Sequence, residues 1–217
     1  MNHFFNSLFK KTIEKYLFQF LNRFFLTHII TIHLRKMALY QALLNRHTIR
    51  NYDPSYVIPK DILEKIAKVV QISPNSMAVQ GVDAYVVSNK DKLQQITDSI
   101  HAHLPKEMVD YMNARKQNFK VSNVVTCDAS AVIYLAKNER SNQDCKLDAG
   151  VAAHAVCMAA ANFGLDTMCH SVCASPGTAE VLGLPADAIL IGVAIGKRRP
   201  DAFIPPRQSL NKIHFVE

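Results

Sequence analysis

One stretch near the middle of the chain, DAGVAAHAVCMAAANFG over residues 148–164, predicts a long helix with almost no polar surface. Asp148 is suited to the N-cap of this helix, and Gly164 to the left-handed position just beyond its end. Between them, alanine and valine recur at the spacing of one helical face, and other small or apolar residues occupy the remaining sides. Because a helix that is apolar all round is buried, we expect it to be the spine of the core or of a subunit interface.

Helices and strands alternate along the chain after residue 37, and no internal repeat is present. This order indicates an α/β or α+β domain with a central sheet covered by helices. Residues 105–123 are polar and irregular, with a helical pattern around EMVDYMNARKQ, and are interpreted as a mobile excursion or lid. The pattern predicts helices over 38–45, 60–71, 89–104, 148–164 and 175–185, strands over 84–88, 129–138 and 187–197, a strand leading to a loop over 165–173, and a short strand at the C-terminus.

Charge is spread unevenly along the 217 residues. Residues 1–36 contain six Lys or Arg and the single acid Glu14, which is a net +5 of the chain's formal +7. The body therefore lacks the concentrated basic stripe of a nucleic-acid-binding protein, and we expect no nucleic-acid partner. The five cysteines are an odd number scattered through apolar segments, which is typical of reduced thiols in a cytoplasmic protein.

Residues 1–36 are rich in Phe, Leu and Ile and nearly free of acids. Three interpretations stay open: an organelle-targeting presequence, a membrane-surface helix or poor membrane span, or a segment upstream of a true start at Met37. The third is favoured because MALYQALLNRHTIRNYDP is a coherent opening for a domain. We therefore treat residues 1–36 as an extension outside the working domain, residues 37–217, and expect membrane contact only through the extension.

The basic cluster RHTIR begins a series of motifs that together resemble one known family. Two arginines flanking a hydroxyl suit a phosphate or a polarised heteroaromatic ring, because a guanidinium donates in a planar fork. The opening RHTIRNYDPSYVIPKDILEKIAKVVQISPNSMAVQ resembles that of the flavin-dependent nitroreductases. DAGVAAHAVCMAAANFGLDT, LGLPADAILIGVAIGK and PPRQSLNKIHFVE resemble later motifs of the same family, in the same order. The resemblance covers roughly residues 37–217.

The resemblance implies a three-layer α/β/α fold of the α+β class with a central mixed sheet, in an intertwined homodimer that binds FMN at its interface. It implies tightly bound FMN, with basic groups on the phosphate and ring carbonyls, a loop along the ring, and backbone N–H groups near flavin N5. Ala78 stands where the family usually has Asn, and Cys173-Ala174 where classical members have Glu-Gly. The implied cofactor-binding residues are Arg46, His47, Thr48, Arg50, Pro74, Asn75, Ser76, Gln80, Val172, Cys173, Ala174 and Arg207.

The expected activity is an FMN-dependent oxidoreductase in which NAD(P)H is a transient co-substrate. Electron-poor small molecules, such as nitro compounds, quinones or enones, are then reduced by ping-pong hydride transfer. The flavin supplies the chemistry, so no side chain is assigned a catalytic role and no metal site is expected. Two alternatives stay open: a flavin-binding protein of the same fold without NAD(P)H turnover, and a membrane-associated or targeted protein that uses residues 1–36.

Overall fold

The computed structural model of the protein describes residues 40–216. Residues 40–45 are helical, as expected, and form a unit separate from the body that begins at Arg46. The expectations for residues 1–36 lie outside the described residues. Among the residues described, no helix is long and apolar enough to cross a membrane.

A four-stranded sheet forms the centre of the body. Its strands are β1 (Val82–Val87), β2 (Ala131–Lys137), β3 (Asp166–His170) and β4 (Ile189–Gly196), in the order β1-β2-β4-β3. Each neighbouring pair is antiparallel, and the parallel contribution to the sheet is an isolated bridge between Thr48 and Thr167. The two central strands are buried and rich in Val and Ile, which favour a pleated surface covered on both sides.

Helices cover both faces of this sheet. One core cluster joins α1 (Lys60–Ile72) and α4 (Cys145–Asn162) to the face that carries Ile133 and Val193. The other joins α2 (Lys90–Ala102), α3 (Lys106–Phe119) and α5 (Pro176–Leu182) to the face that carries Tyr134. The α+β class and its three α/β/α layers are therefore confirmed.

The predicted cap of the central helix is wrong. Helix α4 begins at Cys145, so Asp148 lies inside its first turns. The Asp148 carboxylate instead accepts a hydrogen bond from the backbone N–H of Ser76, at 2.9 Å, across a sequence separation that a local pattern does not reveal. Gly164 does adopt the expected left-handed conformation, with φ +70°.

Helix α4 is also less buried than its composition predicts. Its sheet-facing side is covered, but Leu147 and Val151 on another side are 69% and 38% exposed in the single chain. Exposed apolar side chains on an alanine-rich helix are typical of an interface rather than of a free surface.

Two further segments differ from expectation. The polar region 105–123 contains the 14-residue helix α3, which buries Met112 and ends at a left-handed Lys120. The predicted C-terminal strand is wrong for the single chain, since residues 203–216 contain no strand. A strand requires a partner for its backbone N–H and C=O groups, and residues 46–202 do not provide one.

Candidate functional site: a basic edge and an opposite groove

The RHTIR segment runs beside the edge strand β3. Thr48 bridges Thr167, and the Ile49 N–H donates to the carbonyl oxygen of Thr167 at 3.2 Å. The side chains of Ile49 and Tyr52 are completely buried, which fixes the segment to the core. Arg46, Thr48 and Arg50 remain only partly buried. The alternation between anchored apolar residues and partly exposed polar ones keeps two guanidinium groups at the surface.

The C-terminal tail brings a third arginine to this place. Arg207 donates a hydrogen bond from its guanidinium to the carbonyl oxygen of Arg46. The imidazole Nδ1 of His47 lies 3.2 Å from the carbonyl oxygen of Pro205. We call Arg46, His47, Thr48, Arg50 and Arg207 the basic edge. Residues separated by about 160 positions in sequence are thus neighbours in the fold.

The donor set of the basic edge fits a phosphate ester. Three guanidinium groups and one hydroxyl present only hydrogen-bond donors or positive charge to an anion, apart from the acceptor capacity of the hydroxyl. Bidentate guanidinium contacts to phosphate are among the strongest hydrogen bonds in proteins. Thr48 and Arg50 also line a small cavity of about 60 Å³ together with Phe119 and Phe203. The residues present are therefore compatible with FMN.

The loop 74–80 lies elsewhere, at the mouth of a groove of about 610 Å³ between α1, β1 and the start of α4. Pro74, Asn75 and Gln80 line this groove. Ser76 ties the loop to α4, because its hydroxyl donates to the carboxylate of Asp144 at 2.8 Å. The volume is in the range of small-molecule sites.

The backbone of this loop is strained. Met77, Ala78 and Gln80 adopt left-handed φ angles of 53°, 55° and 50°. Non-glycine residues other than Asn and Asp rarely occupy this region, and strain of this kind gathers at ligand-binding loops. A hydrogen bond within the loop offsets part of this backbone strain, since the side-chain oxygen of Asn75 accepts from the Gln80 N–H at 2.8 Å. The left-handed Ala78 explains physically why Asn suits this position.

The loop after β3 is shaped by a turn. The Ala174 N–H donates to the Ser171 carbonyl oxygen at 2.8 Å, so in this conformation it is already paired within the turn rather than open to a flavin. The Cys173 side chain is fully buried and its thiol lies 3.0 Å from the His170 carbonyl oxygen. Burial raises the pKa of this thiol to about 12, which is the behaviour of a structural cysteine.

His170 and Gly192 lie next to the Cys173 side chain of this loop. His170 faces Gly192 across the β3–β4 ladder, and Tyr134 faces Gly192 from β2. A Cβ atom at Gly192 would lie 2.7 Å from the Cys173 Sγ and 2.9 Å from the His170 Nε2, so only glycine fits. Burial lowers the pKa of His170 to about 4. The imidazole is therefore uncharged at neutral pH, and neither of its buried ring nitrogens has a hydrogen-bond partner among the described residues.

Two groups of sequence-predicted residues, the basic edge and the loop 74–80, are not brought together by the single chain. The basic edge lies beside β3, while the loop 74–80 precedes β1 at the other edge of the sheet. Three strand spacings separate β1 from β3, which is roughly 14 Å. The groove is lined by residues of the loop 74–80, and the small cavity beside Phe119 by residues of the basic edge, so neither of these two cavities joins both groups.

Arg140 is a groove residue that the sequence motifs missed. It lines the groove and donates to the carbonyl oxygens of Val79 and Gln80, both at 3.2 Å. It belongs to the loop between β2 and α4, which matches no recognisable motif. Its only sequence signal is a charged residue directly after a predicted buried strand.

Comparison with known proteins gives the family. The sequence model of the Nitroreductase family matches residues 43–197. An oxygen-insensitive NADPH nitroreductase from Helicobacter acinonychis is 32% identical over 74 residues, which cover 34% of this chain and 34% of that protein. A similar protein from Helicobacter pylori matches over the same length. The chain thus aligns with about a third of the length of these curated relatives.

Solved structures agree in fold over a larger span. A nitroreductase with bound FMN from Desulfitobacterium hafniense superposes with a TM-score of 0.69 at 18% identity, covering 83% of this chain and 98% of that one. A nitroreductase with bound FMN from Bacteroides fragilis gives a TM-score of 0.69 at 20% identity, covering 82% and 98%. With a family match over most of the described residues and this shared fold, the chain belongs to the Nitroreductase family.

Proposed function

We propose that this protein is an FMN-dependent oxidoreductase that uses NAD(P)H to reduce electron-poor acceptors such as nitro compounds, quinones or enones. The observation that carries the proposal is the basic edge, where a hydrogen bond joins Arg207 to Arg46 and where Thr48 and Arg50 line one small cavity. The names of the relatives support it, since two are NADPH nitroreductases and the structural neighbours hold FMN.

Bound FMN supplies a group that accepts and donates hydride. The guanidinium groups of Arg46, Arg50 and Arg207 would hold its phosphate and its electron-rich carbonyls, where positive charge would favour the reduced form. The backbone N–H groups of Val172 and Cys173 would donate to the ring edge. The loop that contains Pro74, Asn75, Ser76 and Gln80 would line the ring and limit the space for a ligand. No side-chain acid or base is assigned to the hydride step.

The test is anaerobic reduction of the purified protein by NADPH and, separately, by NADH. Loss of the flavin absorbance, followed by its recovery when a quinone or nitroaromatic is added, is the expected result for a ping-pong oxidoreductase. Parallel lines in double-reciprocal plots at several acceptor concentrations are expected from the same scheme. A flavin that neither nicotinamide bleaches would favour the alternative, a flavin-binding protein of this fold without NAD(P)H turnover.

The complete site is a composite of two chains in this proposal. The basic edge and the loop 74–80 lie at opposite edges of the sheet, so an intertwined homodimer that brings one chain's edge to its partner's loop unites them. The exposed apolar side of α4, with Leu147 and Val151, supports such an interface. Each dimer then has two equivalent FMN sites.

The C-terminal tail supports the intertwined arrangement. Ile213 and Phe215 are 82% and 90% exposed and alternate with polar Lys212 and His214, which is the pattern of a strand with one buried face. Within residues 40–216, β1 pairs with β2 alone and has an open edge. An exposed strand edge and an unpartnered apolar strand are both liabilities in a monomer. Pairing of the tail with the partner's β1 removes both.

Serine substitution at the three apolar tail residues Leu210, Ile213 and Phe215 is expected to convert the dimer to a monomer at micromolar concentration. Each substitution removes about 1.5–3 kcal/mol of the free energy gained by burying an apolar side chain in the interface. Size-exclusion chromatography with light scattering measures the result. The matched control replaces the polar neighbours Gln208, Asn211 and Lys212 with serine and keeps the dimer. A wild-type monomer, or equal masses for both variants, contradicts the composite site.

We infer a cytoplasmic location, and membrane contact only through residues 1–36. Fractionation of cells that express the full chain and a form starting at Met37 tests this. Both forms in the cytoplasmic fraction support it. The full chain alone in a membrane or organelle fraction would favour the alternative in which residues 1–36 are functional.

A further inference from the structure

Two cysteines from different elements meet at the edge of the sheet. Cys157 lies on the sheet-facing side of α4, and Cys169 lies on the edge strand β3, with their Sγ atoms 3.5 Å apart. Cys169 pairs with Val193, a residue of the core cluster on the α4 side, so its side chain faces that helix. The contact follows from how α4 packs on the sheet rather than from sequence proximity.

The two thiols differ in access to solvent. Cys157 is only 3% exposed, because it lies between α4 and the sheet. Cys169 is exposed, because β3 is the edge strand. A small reagent therefore reaches Cys169 first and finds a second thiol directly behind it. This is the arrangement of an attacking cysteine with a resolving cysteine.

The pair is also chemically distinct from the other buried thiols. The contact between the two thiols lowers the pKa of Cys157 and raises that of Cys169, because a proton held by one sulfur stabilises a thiolate on the other. Burial raises the pKa of Cys127 and Cys173 to about 12. Thiolate is the reactive form of cysteine, so the pair shares a thiolate that can remove the proton of the accessible Cys169, while Cys127 and Cys173 have no such partner.

We propose that Cys157 and Cys169 form a thiol–disulfide redox pair, which a small-molecule disulfide such as oxidised glutathione converts to an intrachain disulfide between α4 and β3. The proposal rests on the Sγ contact and the unequal exposure of the two residues. It does not depend on the proposed oxidoreductase function. A disulfide here covalently fastens the edge strand that carries the basic edge to the central helix.

The exchange balances in two steps. In the first, the proton of the Cys169 thiol passes to the Cys157 thiolate, and the Cys169 sulfur attacks the small disulfide, forming a mixed disulfide and releasing one thiolate. In the second, Cys157 loses its proton to that thiolate and attacks the Cys169 sulfur, releasing the second thiolate. Two protein thiols are oxidised, and one small disulfide is reduced to two thiol equivalents.

The experiment treats the purified full-length protein with oxidised glutathione at neutral pH, blocks the remaining thiols and maps peptides without reduction. The expected result is a peptide pair linked through Cys157 and Cys169, with two of the five cysteines no longer alkylated. Reduction with dithiothreitol restores both. The matched control is Cys173→Ser. In the wild-type protein the Cys173 thiol contacts the His170 carbonyl oxygen rather than a second cysteine, so this variant is expected to form the Cys157–Cys169 linkage as wild type does.

Two variants test the order of events. Cys157→Ser lacks the resolving thiol, so a glutathione adduct is expected to accumulate on Cys169. Cys169→Ser lacks the accessible thiol, so Cys157 is expected to stay unmodified. Circular dichroism checks that both variants fold, and peptide mapping of wild type stands independently of them. Five alkylated cysteines in treated wild type, a stable Cys169 adduct there, or a linkage to another cysteine or another chain overturns the proposal.

Discussion

Replacing either Arg46 or Arg50 with alanine is expected to weaken FMN binding by about 10- to 100-fold. Each guanidinium makes charge-assisted hydrogen bonds to an anion, which are worth about 1.5–3 kcal/mol apiece. Both variants are expected to stay folded, because Ile49 and Tyr52 anchor this segment in the core and are completely buried. The dissociation constant is measured by titrating FMN into flavin-free protein and monitoring the quenching of flavin fluorescence.

Lys65→Ala is the control for net charge. Lys65 pairs with Asp61 on the exposed side of α1, away from the basic edge, so its removal is expected to leave FMN affinity unchanged within about twofold, as for a surface pair of small energy. Equal affinities for wild type and both arginine variants would show that the basic edge does not bind FMN. Equal weakening in the Lys65 variant would point to overall charge instead.

The second large effect is expected at Gly177, where substitution by alanine destabilises the protein by about 3 kcal/mol or more. A Cβ atom there would lie 2.4 Å from the backbone carbon and oxygen of Ser99. Backbone atoms cannot rotate away as a side chain does, so α5 has to separate from α2. Because α5 directly follows the loop 171–175, the same shift disturbs the proposed flavin contacts. Urea unfolding at fixed protein concentration measures the change.

Pro176→Ala is the matched control on the same helix. Pro176 is exposed at the first helical position, where its replacement changes stability by about 1 kcal/mol or less. If the unfolding midpoints of the Gly177 and Pro176 variants coincide, the close contact between α2 and α5 is not a constraint on the fold.

Local chemistry made much of the fold predictable. The sequence predicts Asn89 or Asp91 as the cap of the helix over 89–104, and the Asn89 side chain accepts from the Lys92 N–H at 2.8 Å. It predicts Ser175 as the cap of α5 with Pro176 at the first helical position, and the Ser175 hydroxyl accepts from the Gly177 N–H at 3.2 Å. Each capping hydrogen bond joins groups at most three residues apart, so the donor and the acceptor can both be recognised in the local sequence.

Long-range contacts set the limits of prediction. Asp148 satisfies every local requirement of an N-cap, yet it accepts from Ser76, 72 residues away. The contact of Cys157 with Cys169 likewise depends on how α4 lies over β3, which no periodicity reports. The apolar pattern of α4 fits a core or a subunit interface equally well, because periodicity does not distinguish the two. The pattern of the tail likewise predicts a strand without saying which chain provides its partner.

For the candidate site, the sequence proposes a set of residues but not where they lie in the fold. The family resemblance marks the basic edge and the loop 74–80 alike, while the sheet order puts them at opposite edges. A sequence motif does not state which chain of a dimer provides each part. The proposal of a composite site therefore rests on the strand order, which the motifs do not contain.

The most direct test of the account is the visible absorbance of the purified protein, with the flavin identified after denaturation. The account predicts paired flavin bands and FMN released at about one per chain, which is two per dimer. A colourless protein that also fails to bind added FMN would contradict the central claim and leave the family fold without its proposed cofactor.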